Sequence, residues 1–237
     1  MARRPDVSIV IPTLNEEEYI EDALNALTSQ NTSHSYEIIL GDGHSEDRTV
    51  KIAEKYGARV VYEPKRTISA GRQKGAEAAE GRVIVHSGAD VHMDPHWLDR
   101  LVEPVMGRRY VASIGPVLPS DGNWGERLFS LGFLKPLGHG LSHLGFHFVA
   151  ADNMAVRSDV FHKVGGFNTE LVTAEDTDLI KRVVRHGKVK YVPDAHIYVS
   201  MRRVRDWGYA KYLHFHTSNF FKFHFGGKSH GKYEPVR

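Results

Sequence analysis

The 237-residue sequence contains no cysteine, which excludes disulfides, thiolate metal sites and cysteine nucleophiles. That absence fits a reducing compartment and points to a cytoplasmic location. The sequence also lacks any uninterrupted apolar run near the ~20 residues that a bilayer-crossing helix requires. Its opening, MARRPDVSIVIP, sets basic residues before a short apolar run with no small-residue cleavage site, so the run reads as a buried strand and not an export signal. Glycine-rich phosphate loops are missing where they would count. The segment after that run, IPTLNEE, has neither the glycines of a dehydrogenase turn nor the basic glycine-rich loop of a nucleotidyltransferase. What remains is ordinary: 41% hydrophobic and 25% charged residues describe a globular domain long enough to bury a sizeable core.

Net charge is low, at +2, but unevenly placed. From Met201 onward there are eight Lys/Arg against two Asp/Glu, a local net of +6, which leaves −4 on the first 200 residues. The sequence therefore divides into a body, 1–200, and a basic segment, 201–237.

The body opens on a run, Val7 to Ile11, whose continuous apolar character suits a strand covered on both faces. Pro12 stops it. Asn15 with Glu16 to Glu18 behind it predicts a capped helix carrying Ile20, Ala23, Leu24 and Leu27 at helical spacing. The unit then repeats. Tyr36 to Leu40 is a predicted strand, and Ser45 a predicted cap for a helix running to Tyr56 and ended by Gly57. Arg59 to Tyr62 is a strand, Ser69 to Glu80 an alanine-rich helix, and Val83 to His86 a fourth strand. This alternation predicts an α/β, Rossmann-like and mostly parallel sheet flanked by helices.

Such sheets bind ligands beyond the carboxyl ends of their strands. The loop residues there become candidates: Pro12, Thr13, Asn15 and Glu16 after the first strand, Asp42, His44 and Ser45 after the second, Asp90, His92 and Asp94 after the fourth. Lys65, Arg66 and Arg72 could reach phosphate. Asn15 and Ser45 serve equally well as helix caps, a purely structural use. The Gly165-Gly166-Phe167 stretch reads as a helix end, because no Lys-Ser/Thr follows it.

Six segments in order resemble the inverting family-two glycosyltransferases with a GT-A fold. They are IPTLNEE, GDGHSEDRT, SAGRQKGAEAAEG, HSGADVHMDPHWL, and the downstream pair DNMAVRSDVFHKVGGFNTE and AEDTDLIKRVVRHG. The resemblance covers roughly Val7 to Ser200. It implies a nucleotide-binding half, about 1–95, and an acceptor half, 96–200. It also implies hexosyl transfer from a UDP- or GDP-sugar, with Asp42 at the nucleobase, Arg72 beside the nucleotide, and Ala89 and Asp90 in the turn that holds Mg²⁺ or Mn²⁺. Asn153 falls on the sugar side with Asp152. Asp176 falls on the catalytic base, with Glu175 its neighbour and runner-up. Two departures stand out. The metal turn has Gly88 in place of its first aspartate, and Gly43-His44 replaces a commoner Asp-Gly pair. A degenerate member that binds nucleotide or glycan without turnover is the non-enzymatic alternative.

The chemistry asks for neutralised diphosphate charge, a carboxylate to take the acceptor proton, and a sugar held for attack from the opposite face. Asp176 also suits the first turn of a helix, Leu179 to His186, capped by Thr173. A polyprenyl-phosphate acceptor would need no base, so a carboxylate there favours a hydroxyl, such as that of a lipid-linked glycan.

Two further stretches draw notice. His139, His143 and His147 are spaced i, i+4, i+8, but the glycines at 138, 140 and 145 argue against a regular helix and a zinc site. Residues 121–148 instead suggest a flexible acceptor-side segment that orders with donor. The basic segment interleaves cations with Trp207, Tyr209, Tyr212, Phe215, Phe220, Phe221, Phe223 and Phe225. That pattern suits a membrane surface through 201–225, as a peripheral protein on the inner face of the cell membrane, or a helix packed on the body. With basic charge only local, no nucleic acid is expected.

Overall fold

A computed structural model describes residues 4–143 and 149–226. In chain order the elements are β1 (Val7–Thr13), α1 (Ile20–Thr28), β2 (Tyr36–Asp42), α2 (Thr49–Lys55), β3 (Arg59–Tyr62), α3 (Ile68–Glu77), β4 (Val83–His86), β5 (Val91–Met93), α4 (Trp97–Met106), β6 (Ala112–Ile114) and β7 (Val117–Pro119). There follow α5 (Trp124–Phe129), α6 (Lys135–His143), β8 (Met154–Arg157), α7 (Ser158–Lys163), α8 (Glu175–Val183), β9 (Val189–Tyr191), β10 (Ile197–Val199), α9 (Arg202–Trp207) and α10 (Tyr209–Gly226).

Seven strands form the main sheet in the order β3-β2-β1-β4-β8-β6-β9, and β5-β10-β7 form a smaller one. β1, β2, β3 and β4 run parallel, whereas β8 lies antiparallel between β4 and β6. The sheet is therefore mixed, with its parallel half at the amino-terminal end, as the alternation of elements predicts. Helices cover both faces. Ile9, Leu24, Leu27, Leu40, Trp97 and Leu101 fill one side of the sheet, and Val10, Ile84, Phe161 and Leu179 the other. All ten are buried, which is why β1 reads as an unbroken apolar run.

One packing detail aims the site. A Cβ at Gly71 would stand 2.8 Å from the Gly41 carbonyl oxygen, and one at Gly41 would collide with the Gly71 carbonyl. Backbone thus lies on backbone, drawing α3 hard against β2 and bringing the next residue, Arg72, under the carboxyl end of the sheet.

Several local expectations are corrected. Asn15 has a φ of 54° and does not cap a helix; α1 starts five residues later. Ser45 does not cap α2 either. Arg48 holds the cap position and makes no side-chain cap bond, while Asp47 Oδ1, one residue earlier, accepts from the Thr49 amide at 2.9 Å. The helix at Glu175 is preceded by Ala174 at φ 62°, while the Thr173 hydroxyl donates to Asn219 Oδ1 at 3.1 Å. Residues 124–143 are helical despite Gly138 and Gly140, with a π-helical turn at Ser130–Leu134. Contact between His139 and Tyr191 (ring centroids 5.7 Å apart) and a bond from the Tyr191 hydroxyl to the Lys135 carbonyl hold α6 on β9, so packing overrides propensity. His147 lies outside the described residues.

The carboxyl-terminal segment packs on the body. Val204 and Phe223 are buried, and Lys181 lies 4.7 Å from the Phe223 ring centre. Tyr209 is 58% exposed, and the largest exposed apolar side chain, Trp124 at 81%, lies on α5 with Leu128 and Leu131 nearby. The side chains of Leu213, Phe220 and Phe221, and all of 227–237, lie outside the described residues. No helix among the described residues is long and apolar enough to cross a membrane.

Candidate active site

The parallel register brings the first loops together. Thr13 ends β1 opposite Asp42 at the end of β2, and the Thr13 hydroxyl donates to Asp42 Oδ1 at 2.8 Å. The Ser45 amide and hydroxyl donate to the same carboxylate at 2.8 and 2.6 Å. Asp42 is fully buried. Its carboxylate thus joins the two loops. Asn15 does the same from the other side. Its amide donates to Ser45 Oγ at 2.9 Å, and its Oδ1 accepts from the Glu46 amide at 2.8 Å. A left-handed residue is what lets Asn15 face back across the loop pair.

The turn after β4 carries Ala89, which is buried, and Asp90. The smaller sheet fixes what faces Asp90. β10 pairs antiparallel with β5 as far as Val199↔Val91, and the Ser200 amide donates to the Asp90 carbonyl at 3.3 Å. Two residues on, the Arg202 guanidinium lies 3.1 Å from Asp90 Oδ2 and 2.9 Å from Glu16 Oε2, with Tyr19 stacked at 4.3 Å. Burial raises the Asp90 pKa against the pull of Arg202. The other two acid or imidazole candidates of this turn point elsewhere. Asp94 accepts from Arg100 and the His96 amide. His92 faces a separate cleft of about 450 Å³ with Leu118, Ser130, Leu131 and Tyr198. Strand alternation is the reason, since Val91 and Met93 turn inward and His92 outward.

Arg72 is the charge centre on the other side. It is 4% exposed, 3.3 Å from Glu175 Oε1 and in closer contact with Asp152 Oδ1. Burial disfavours its charge, but Asp152 and Glu175 outweigh that and hold its pKa above the ordinary value. Its guanidinium therefore organises both carboxylates. Burial, helped by the Asp176 charge, pushes Glu175 up to about 7. Asp176 is also raised by burial, its Oδ1 accepting from the Thr177 amide at 2.6 Å. Lys65 and Arg66 are held by surface acids, Glu170 at 2.7 Å and Glu46 at 3.5 Å.

Asn153 is fully buried and its side chain is spent in the core. Its Oδ1 accepts from Trp97 Nε1 at 3.0 Å, and its Nδ2 donates to the carbonyls of Pro116 and Ala195 at 2.9 and 2.8 Å. It anchors the turn from which Asp152 projects and is not itself placed to touch a sugar. Pro12, half-buried beside Gly71, does not stop β1 as expected, since the strand pairs on through Thr13.

The family model for glycosyl transferase family 2 matches residues 8–165. The chain belongs to that family. Among curated relatives it is 29% identical over 193 residues to the glycosyltransferase AglE of Haloferax volcanii, covering 77% of this chain and 62% of AglE. It is 31% identical over 117 residues to the dolichol-phosphate mannosyltransferase of Pyrococcus furiosus, covering 44% of this chain and 33% of that one. Among solved structures, the mannosyltransferase PcManGT of Pyrobaculum calidifontis, in complex with GDP-Man and Mn²⁺, superposes with a TM-score of 0.71 at 19% identity, covering 91% of this chain and 64% of its own. S. aureus TarS, residues 1–349, gives 0.66 at 18% identity, covering 94% and 75%. These likenesses place the chain in the GT-A fold. It spans less than two thirds of the length of AglE and of PcManGT.

Arg202, beside Asp90 and Glu16, is not singled out by the sequence, where it reads only as one cation of the basic segment. The rule that marked Thr13, Asp42 and Asp90, a polar residue just past the end of an apolar strand, applies equally to Arg202 after His196-Ile-Tyr-Val-Ser200.

Proposed function

We propose that the chain transfers a hexosyl group from a UDP- or GDP-sugar to an acceptor hydroxyl, with inversion. The observation that carries this reading is the pair of half-buried acids opening α8, Glu175 and Asp176, set beside Arg72 and Asp152 at the carboxyl end of the sheet. Carboxylates raised above their ordinary range at such a place suit proton transfer. In this reading Asp176 takes the proton of the acceptor hydroxyl. The acceptor oxygen bonds to the anomeric carbon as that carbon's bond to the diphosphate oxygen breaks, and the nucleoside diphosphate leaves with the electron pair. Glu175, engaged by Arg72, holds the guanidinium and fixes the start of α8. Pro12, Thr13, Asn15 and Asp42 shape the nucleotide loop, and Glu16 steadies Arg202.

A divalent cation fits at Asp90. A hard cation takes oxygen ligands and often needs only one or two carboxylates beside substrate phosphate. Arg202 already lies on Asp90 as a positive group, which marks the spot as one that favours cations. Mg²⁺ or Mn²⁺ bound there would neutralise charge developing on the leaving diphosphate. PcManGT was solved with Mn²⁺ and GDP-Man, in support of the same class of donor. Transfer to a polyprenyl phosphate is the second reading, favoured by the name of the Pyrococcus furiosus relative; such an acceptor needs no base. A lipid-linked acceptor also accords with the exposed Trp124, Leu128 and Leu131 and the basic segment 201–225, which together offer a peripheral membrane contact.

The test is product formation from a panel of UDP- and GDP-sugars, with and without Mg²⁺ or Mn²⁺, beside calorimetry of UDP and GDP binding. Turnover of one donor is the expected result. Binding without turnover by the full chain would instead establish the degenerate, non-enzymatic reading.

A further inference from the structure

The metal turn of the family has an aspartate where this chain has Gly88. The main sheet supplies what stands in that place. β4 and β8 pair antiparallel, with Val83↔Arg157 and His86↔Met154 among the partners. The ladder ends there, with Gly88 two residues after β4 and Asp152 two residues before β8, in the short helical turn Ala151–Asn153. The paired strand ends therefore bring the two positions together, and the contact is close because position 88 has no side chain. A Cβ built on Gly88 would stand 3.2 Å from Asp152 Oδ1 and 3.3 Å from its Cγ. The space in which an aspartate at 88 would begin is already filled by the carboxylate of Asp152.

That carboxylate is presented, not buried. The Asp152 side chain is 33% exposed, with Arg72 bound behind it. Its turn, Ala151–Asn153, is rigid. The Asn153 amide donates to the Ala150 carbonyl at 3.0 Å, the Gly115 amide donates to the Asn153 carbonyl at 3.0 Å, and the Asn153 side chain is locked in the core. Gly88 itself is not among the glycines at positive φ. Its backbone would accept a side chain, so the absence of one is not a demand of the turn.

We propose that Asp152 supplies, from across the strand pair, the carboxylate that the turn lacks at 88, so that Asp90 and Asp152 form the acidic pair facing the donor's divalent cation. The inference deepens the reading of a cation at Asp90 and rests on it. The carboxylate has changed strands and kept its place.

The test is a Mn²⁺ titration of the full chain with UDP or GDP present, followed by electron paramagnetic resonance and with thermal melting as a folding control. Asp152→Asn, which keeps the shape of the side chain, is expected to weaken Mn²⁺ binding at least tenfold, as is Asp90→Asn. The decisive variant moves the group back: Gly88→Asp with Asp152→Gly. It is expected to recover most of the Mn²⁺ affinity, with Val91 Cγ1, 3.1 Å from the new Cβ, yielding slightly. Wild-type Mn²⁺ binding in Asp152→Asn, beside loss in Asp90→Asn, would overturn the role of Asp152 and leave the cation at Asp90 standing. Loss in Asp152→Asn without recovery in a folded relocation variant would also overturn it, reducing Asp152 to a partner of Arg72. Mn²⁺ binding by none of the proteins, wild type included, would sink the underlying reading of a cation at Asp90.

Discussion

Arg72 and Glu175 lie 103 positions apart in the chain, yet their guanidinium and carboxylate meet at 3.3 Å, with Asp152 on the other arm of the same guanidinium. Arg72 comes from the helix that rests on bare backbone at Gly41, and Glu175 from the first turn of α8. The pair ties the nucleotide half of the domain to the acceptor half at the point where the chemistry is proposed.

Removing Arg72 would leave two acids without their cation in a largely buried setting. Arg72→Met is expected to destabilise the fold by about 3–5 kcal/mol, the usual cost of breaking one side of a buried ion pair. Arg72→Lys should cost less but not recover fully, because a point charge cannot reach both carboxylates as a planar fork does. Urea denaturation of the three proteins checks this; a loss below about 1 kcal/mol in Arg72→Met would contradict it.

Asp176→Asn is expected to lower kcat by about 10²–10⁴-fold, the range of a lost general base, with nucleotide binding by calorimetry unchanged. In the unmodified protein, the acid limb of kcat/KM should lie well above the ordinary carboxylate range. Burial raises both members of the acidic pair, Glu175 to about 7, and they titrate as a unit. Activity thus falls as pH drops towards and below neutrality. An acid midpoint near 4 would remove these acids from the reaction.

His86 supplies a separate pH effect. It is fully buried against Phe161 and Phe167, with ring centroids 5.6 and 4.8 Å away, and among the described residues neither ring nitrogen has a hydrogen-bond partner. Burial, with the Arg72 charge adding to it, pushes its pKa well below 6.5. The unfolded chain takes up a proton near 6.5 that the folded chain refuses. The stability tied to a neutral His86 is therefore present above that pH and lost progressively below it. His86→Leu should flatten the fall in Tm between roughly pH 6.5 and 5. A variant curve parallel to the unmodified one would contradict the assignment.

Arg202→Ala should act in two directions. With the guanidinium gone from Asp90 and Glu16, nucleotide-free protein is expected to bind Mn²⁺ several-fold more tightly, as a competing cation has left. Donor KM should rise meanwhile, because a positive group beside the diphosphate is lost. Steady-state kinetics and a Mn²⁺ titration separate the two effects. Unchanged values in both would place Arg202 outside the donor site.

How much of this was legible depended on the range of the interaction. β3 and β4 have the ends that the apolar pattern predicts, Arg59–Tyr62 and Val83–His86, because strands covered on both faces leave an uninterrupted mark. Cap residues were less legible. Asn15 and Ser45 suit a helix cap, but Asn15 bonds across to Ser45 and Glu46, while Ser45 accepts from Asn15 and donates to Asp42, an arrangement set by the register of β1 on β2. Tail residues are ambiguous for a similar reason. Cations interleaved with aromatics look alike whether they face a membrane or pack on the body, and the contact of Arg202 with Asp90 joins positions 112 apart.

The sequence by itself determined the alternating elements of the parallel half, the loops at its carboxyl edge and the family, since these rest on local periodicity and ordered motifs. Only the tertiary structure decided which charges meet. Arg72 on Asp152 and Glu175, Arg202 on Asp90, and Asp152 over the bare Gly88 all follow from sheet order and strand register. An ion pair costs its partners little in local pattern, and so leaves no trace along the chain until the strands are side by side.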